Sequence, residues 1–141
     1  MARLIGLRSD QTIDRFSAAI AEEPADPSSQ LDAYFNELRR LVSEPGFNGC
    51  PIIATATDWE STNAQKRAAK AHLDRHRELL ATICKAATSN QILADEILIL
   101  VEGATTIAAA TGDTAVITTA HRAAKALHLS HLVADPPLAQ Q

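Results

Sequence analysis

An all-α fold is predicted for this chain, and three observations predict it. Alanine is abundant, β-branched residues form few runs, and aromatic residues make up 4% of the sequence. Apolar positions recur at three- and four-residue spacing, the period of helices that turn one face to a core. The 141 residues, 46% of them hydrophobic, suffice for one domain with a core of its own. The pattern predicts an antiparallel bundle of about six helices.

The first predicted helix spans 9–22, after a short or disordered arm at 1–8. Ser9 is its expected N-cap, with Asp10 in the first turn, where the helix dipole favours an acid. Ile13, Phe16 and Ile20 share one face. The stretch "PADPSS" is read as a loop. The second helix, 28–43, has the cleanest stripe: Leu31, Tyr34, Phe35, Leu38, Leu41 and Val42. Pro45 and Gly46 end it.

The stretch "EPGFNGCP" is a corner. Gly46 suits a helix C-terminus that needs positive φ, and Gly49 permits a second tight bend. Phe47 can fold back on the helix just completed. Pro51 suits the first position of a new helix, where its missing N–H costs nothing. A short buried helix is expected over 51–57, with Cys50 at its start.

A long helix is predicted over 61–88, capped by Ser61 or Thr62. Ala69, Leu73, His76, Leu80, Ile83, Cys84 and Ala87 form its inner face, and Lys66, Arg67, Lys70 and Arg77 a solvated one. The next helix, 90–111, ends at Gly112. Leu93, Ile97, Leu100, Ala104 and Ile107 form a seam, but Ile92, Leu98, Ile99 and Val101 are apolar off it. Such a helix needs cover on more than one side. Asp113 caps a last helix at 114–129, with Val116, Ala120, Ala123, Ala124 and Leu127 on one face. Residues 132–141 read as a flexible tail, and His128 and His131 as surface residues.

Composition excludes several functions. With Lys plus Arg at 13 and Asp plus Glu at 17, the net charge is −4. A nucleic-acid surface needs a basic face, so these residues are not expected to hold DNA or RNA directly. No apolar run reaches membrane length, and Ile97–Val101 is broken by Glu102 and Gly103. The N-terminal apolar patch is too short for a signal peptide, and a cytoplasmic location is expected. Cys50 and Cys84 form no CxxC pair, so neither a disulfide framework nor a zinc site is expected. No nucleophile elbow, phosphate loop or metal-ligand spacing marks an enzyme, and no cofactor is implied.

Three segments in order, "PGFNGCPIIATATDWES", "AAKAHLDRHRELL" and "LADEILILVEGATTIAAATGD", resemble the C-terminal domain of bacterial TetR-family transcriptional regulators. The similarity lies in Gly46, Phe47, Gly49, Cys50 and Pro51 at the corner, and in Leu100, Glu102, Gly103 and Ala104, with Glu where Asp is commoner. It extends from about 9 to 129. The resemblance implies an effector-binding and dimerisation domain. Its last two helices would pair with their copies in a homodimer, through Leu93, Ile97, Leu100, Gly103, Ala104, Ile107, Val116, Ala120, Ala123, Ala124 and Leu127. A small apolar effector would enter a cavity among the earlier helices and shift the first of them. That shift would re-space two DNA-reading heads whose half-sites lie one helical turn apart. The family's helix-turn-helix head is not expected in these residues, since 1–8 leave no room for it.

The pocket candidates are Phe16, Tyr34, Phe35, Cys50, Ile53, Trp59, His72 and His76. Each also has a plain reading as core or packing. His72 and His76, one turn apart, have the spacing of a metal pair, but no third ligand is placed to complete it. Cys50 at a helix N-terminus could be a reactive thiolate or a small buried residue. Glu102 is expected to stay wet or hydrogen-bonded at the interface edge. Other readings are a headless dimer that sequesters a ligand or pairs with relatives, a ligand-free structural bundle, and a small helical enzyme.

Overall fold

The computed structural model describes residues 2–84 and 90–134. Six helices follow one another: α1 (Ala2–Ala21), α2 (Pro27–Val42), α3 (Pro51–Thr57), α4 (Asn63–Ile83), α5 (Asn90–Thr111) and α6 (Val116–Ala134). No strand occurs among the described residues. The all-α expectation holds.

Local chemistry sets most boundaries. α2 starts one residue earlier than expected. Asp26, read as part of a loop, is the N-cap: its carboxylate accepts the Ser29 N–H at 2.9 Å, and Pro27 occupies the first turn. The corner behaves as its glycines dictate, with φ of +77° at Gly46 and +88° at Gly49. Phe47 packs back on the core. α3 begins at Pro51 as predicted, but only its Ile52 is buried, while Ala54 is exposed.

α4 opens with a capping box. The Thr62 hydroxyl accepts the Gln65 N–H, and the Gln65 side chain accepts the Thr62 N–H at 2.7 Å. Replacing Thr62 by alanine is expected to lower stability by about 1 kcal/mol, with serine close to neutral. Urea denaturation of both variants reads that difference. The predicted end of this helix, 85–88, lies outside the described residues, as do 135–141 of the expected tail. Residues 132–134 belong to α6.

α1 differs most from expectation. It begins at Ala2, so 2–8 are helical and not an arm. Ser9 therefore sits inside the helix, is buried, and caps nothing.

The core joins five helices. Phe16 of α1, Leu31, Tyr34, Phe35 and Leu38 of α2, Leu80 and Ile83 of α4, Leu93 and Ile97 of α5 and Ile117 of α6 are all buried in one cluster. α5 lies between α4 and α6, while α1 packs on α2 and α4. α3 packs on α4 through a smaller cluster around Ile52 and Ala69. Polar ties reinforce the seams. The buried Glu37 carboxylate takes Arg15 at 2.7 Å and Arg40 at 3.0 Å, which joins α1 to α2. Lys125 and His121 of α6 both reach Asp32 of α2, and the His121 ring stacks on Phe35 at 4.8 Å.

Candidate functional site

A cavity of about 650 Å³ opens between α1, α2, the 46–50 corner, α3, α4 and α5. That volume matches sites for small organic molecules. Arg8, Thr12 and Arg15 of α1, Leu38 and Leu41 of α2, Phe47 and Cys50 of the corner, and Val101, Glu102 and Thr105 of α5 are among its walls. The two bends of the corner bring Phe47 and Cys50 toward α1 and α4. The positive-φ glycines thus shape one side of the cavity.

His72 and His76 give α4 a polar edge there. Both are buried, one turn apart, with ring centroids 4.8 Å apart and nearly perpendicular. Ser9 Oγ lies 2.8 Å from His72 Nδ1, and Arg75 donates to the same oxygen at 3.4 Å. This is why a serine stands mid-helix in α1: it satisfies an imidazole on the neighbouring helix. Cys50 Sγ is 3.7 Å from His72 Nε2. The Tyr34 hydroxyl, fully buried, lies 2.8 Å from His76 Nδ1. With no other partner for its proton among the described residues, the phenol donates there, which leaves His76 with its proton on Nε2. His76 also stands edge-on to Phe16 at 5.2 Å.

Electrostatics keeps this wall neutral. Burial, then the nearby Arg75 charge, pulls the His72 pKa down to about 4. Burial, then His72 and Arg75, pulls His76 down to about 3. Burial raises the Tyr34 phenol, and Glu102 adds to the rise. Cys50 does not behave as a helix-terminal thiolate. Burial outweighs the α3 backbone N–H groups, raises its pKa, and holds it as a thiol.

Glu102 departs from its expected place. It is not a wet residue at an interface edge: it is a half-buried wall of the cavity. Burial raises its pKa, and its carboxylate has no hydrogen-bond or ion-pair partner among the described residues. Arg15 and Glu44, also in the wall, pair with each other at 2.8 Å.

Four of the eight pocket candidates line the cavity: Phe16, Cys50, His72 and His76. Tyr34 and Phe35 are fully buried behind it, and Ile53 packs in the small α3–α4 cluster. Trp59 is 90% exposed, in the turn after α3, and walls nothing. The pocket reading missed polar wall residues such as Thr12, Arg15, Glu102 and Thr105, and Ser9, which supports the wall through His72. Ser9 gave no signal beyond a serine that suits a cap. Glu102 gave one, an acid interrupting the most apolar run of the chain. Among the described residues no group of three or more His, Cys, Asp or Glu side chains is placed to hold a metal ion.

The expected dimer seam is corrected as well. Leu93, Ile97, Ala104, Ala120 and Ala124 are buried in the core of their own chain. Leu100, Val116 and Leu127 pack against that core, and Ala123 is half-buried. Only Gly103 and Ile107 of that set are exposed. The outward face of α5 instead carries Ile92, Ile99, Gly103, Thr106, Ile107 and Ala110, and α6 adds Leu129 and Val133. Ile99 is 72% exposed and Val133 82%. A Cβ on Gly103 would meet nothing within 4 Å, so the backbone there is open to close approach. His128 and His131 are not surface residues. His128 is buried, and His131 pairs with Glu96 at 2.9 Å.

A six-helix bundle with this cavity and an apolar outer face on α5 defines an all-helical domain with room for a small molecule. The family described as tetracyclin repressor-like, C-terminal domain, matches residues 27–124, well over half of the chain, and the chain belongs to that family. The crystal structure of a TetR-family transcriptional regulator from Streptomyces coelicolor is similar, with a TM-score of 0.74 at 16% identity. The similarity covers 87% of this chain and 66% of that one, and at such identity it speaks to the fold. No curated protein matches the chain. No helix among the described residues is long and apolar enough to cross a membrane.

Proposed function

We propose that this domain is the effector-binding and dimerisation part of a bacterial, cytoplasmic TetR-like transcriptional regulator. A small, largely apolar molecule occupies the α1–α5 cavity. Its binding shifts α1, and through it a DNA-reading unit outside these residues. The observation that carries this reading is the cavity itself, in a domain of this family, with α1 as one of its walls. α1 is held there by side-chain ties that a ligand could re-set: Phe16 in the core, Ser9 on His72, and Arg75 on Asp10. No catalytic role is assigned to any residue.

Two copies pair through the exposed face of α5 and α6. The contact centres on Ile99, Gly103 and Ile107, not on the seam buried inside each chain. Burying this face in a four-helix contact removes apolar surface that a lone domain would leave in water. Sedimentation of the protein at micromolar concentration should give a dimer, and Ile99→Asp with Ile107→Asp should give a folded monomer. A native monomer would overturn the pairing. Binding of a neutral apolar dye such as Nile red, weakened by Ala54→Trp at the cavity wall, tests the pocket.

A further inference from the structure

We infer that Glu102 is an ionic anchor, so that the cavity takes an apolar molecule carrying a basic amine. The inference deepens the ligand-binding reading proposed above and rests on it.

The argument starts from what the wall offers. Four side chains with a formal charge line the cavity: Arg8, Arg15, Glu44 and Glu102. Arg15 and Glu44 neutralise one another, and Arg15 also serves Glu37. Arg8 is exposed. Glu102 is the half-buried one, and it has no partner among the described residues. Its neighbours do not supply a cation. His72 and His76 are neutral well below pH 7, Tyr34 stays a phenol hydrogen-bonded to His76, and Cys50 is held as a thiol. A carboxylate in such a place carries a desolvation cost that no protein group offsets. Its influence reaches Tyr34 and Cys50, so its charge is felt inside the cavity and not only at the rim.

An ammonium group supplies what is lacking. It brings the positive charge and two or three N–H donors, and a charge-assisted bond to a carboxylate is about twice as strong as a neutral one. The apolar walls, Phe16, Leu38, Leu41, Phe47 and Val101, take the rest of the molecule. A neutral apolar ligand would leave the carboxylate without a partner in a drier site. An anionic one would meet it with repulsion.

The test compares three probes of one shape: 2-(1-naphthyl)ethylammonium, the alcohol and the carboxylate with the same carbon frame. Calorimetric titration is run on the full chain, the Glu102→Gln variant and the Glu102→Ala variant. The Glu102 side chain makes no hydrogen bond among the described residues, so both variants should fold, and their thermal melts check that. The ammonium should bind the native protein at least about ten-fold tighter than the alcohol, and the carboxylate weakest. Both substitutions should bring ammonium and alcohol to nearly equal affinity. Equal binding of the two by the native protein, or a preference that survives Glu102→Gln, overturns the anchor. If the alcohol and Nile red still bind with sensitivity to Ala54→Trp, the cavity reading stands without it. If no probe and no dye binds, both readings fall together.

Discussion

Replacing Phe16 by alanine should remove about 3–5 kcal/mol of stability, one of the two largest effects expected in this domain. Phe16 is 1% exposed and is the main apolar bolt between α1 and the rest of the bundle. Its ring lies 4.6 Å from that of Tyr34 and 5.2 Å from that of His76. Truncation takes away the burial of a whole ring, leaves a void, and breaks two aromatic contacts. The void would merge with the cavity that Phe16 already walls. Water entering there would reach the Tyr34–His76 pair. Urea denaturation reads the loss, and hydrogen exchange should show α1 opening more often than α2. Phe16→Leu should recover most of the stability but little of the ring packing. A loss below about 1 kcal/mol for alanine would mean that α1 is held by its polar ties instead.

The elements that the sequence determines locally are those it disclosed well. Pro51 after a two-glycine corner marked the start of α3, and of the two residues read as the cap of α4, Ser61 or Thr62, Thr62 is the one that caps it. Each is a contact among residues close in the chain. The α1 start was misplaced because Ser9 looks identical as a cap and as a buried donor. Only the distant His72 distinguishes the two. α5 has the predicted bounds, 90–111, but the face assigned to the dimer differs for a related reason. Its apolar residues lie nearly all round, so periodicity identifies a helix with two covered sides but not which side meets its own chain. The small residues Ala104, Ala120 and Ala124 suggested an interface, yet they let α5 and α6 approach within one chain. Trp59 was placed by residue type alone, and its neighbours in the turn supply nothing to bury it. Half of the pocket candidates lie in the cavity wall. Ser9, which meets His72 behind the wall, and Glu102, which is part of it, acquire their roles only from what the fold brings across from other helices.

Acidification should destabilise the domain steeply, and His72 and His76 should account for most of the loss. Both imidazoles have folded pKa values, about 4 and about 3, well below the ordinary histidine value of 6.5. Below pH 6.5 the unfolded chain binds two protons that the folded chain refuses. Stability is therefore full above that pH and falls as the pH drops toward about 4, levelling off near about 3. By about pH 5 the pair should cost on the order of 3 kcal/mol relative to neutral pH. The charged and titratable groups around them set the sign. Arg75 on α4 opposes protonation and Asp10 of α1 is engaged with Arg75, while Arg15 of α1 is paired with Glu37 and Glu44. Tyr34 from α2 and Cys50 from the corner stay neutral. Glu102 from α5 acts the other way: its raised pKa adds stability on acidification and offsets part of the loss. His121 and His128, also lowered by burial, add to the loss outside the cavity. The double variant His72→Gln, His76→Gln separates these contributions. Glutamine can still accept from Tyr34 and Ser9 but carries no titrating proton. Urea midpoints of the native protein should fall sharply between pH 7.5 and pH 5, and those of the double variant should fall much less. An unchanged slope in the double variant would place the acid sensitivity outside this wall. It would also mean that the two imidazoles tolerate charge, so water must reach them in the folded state, and the cavity would be wetter than its apolar walls imply.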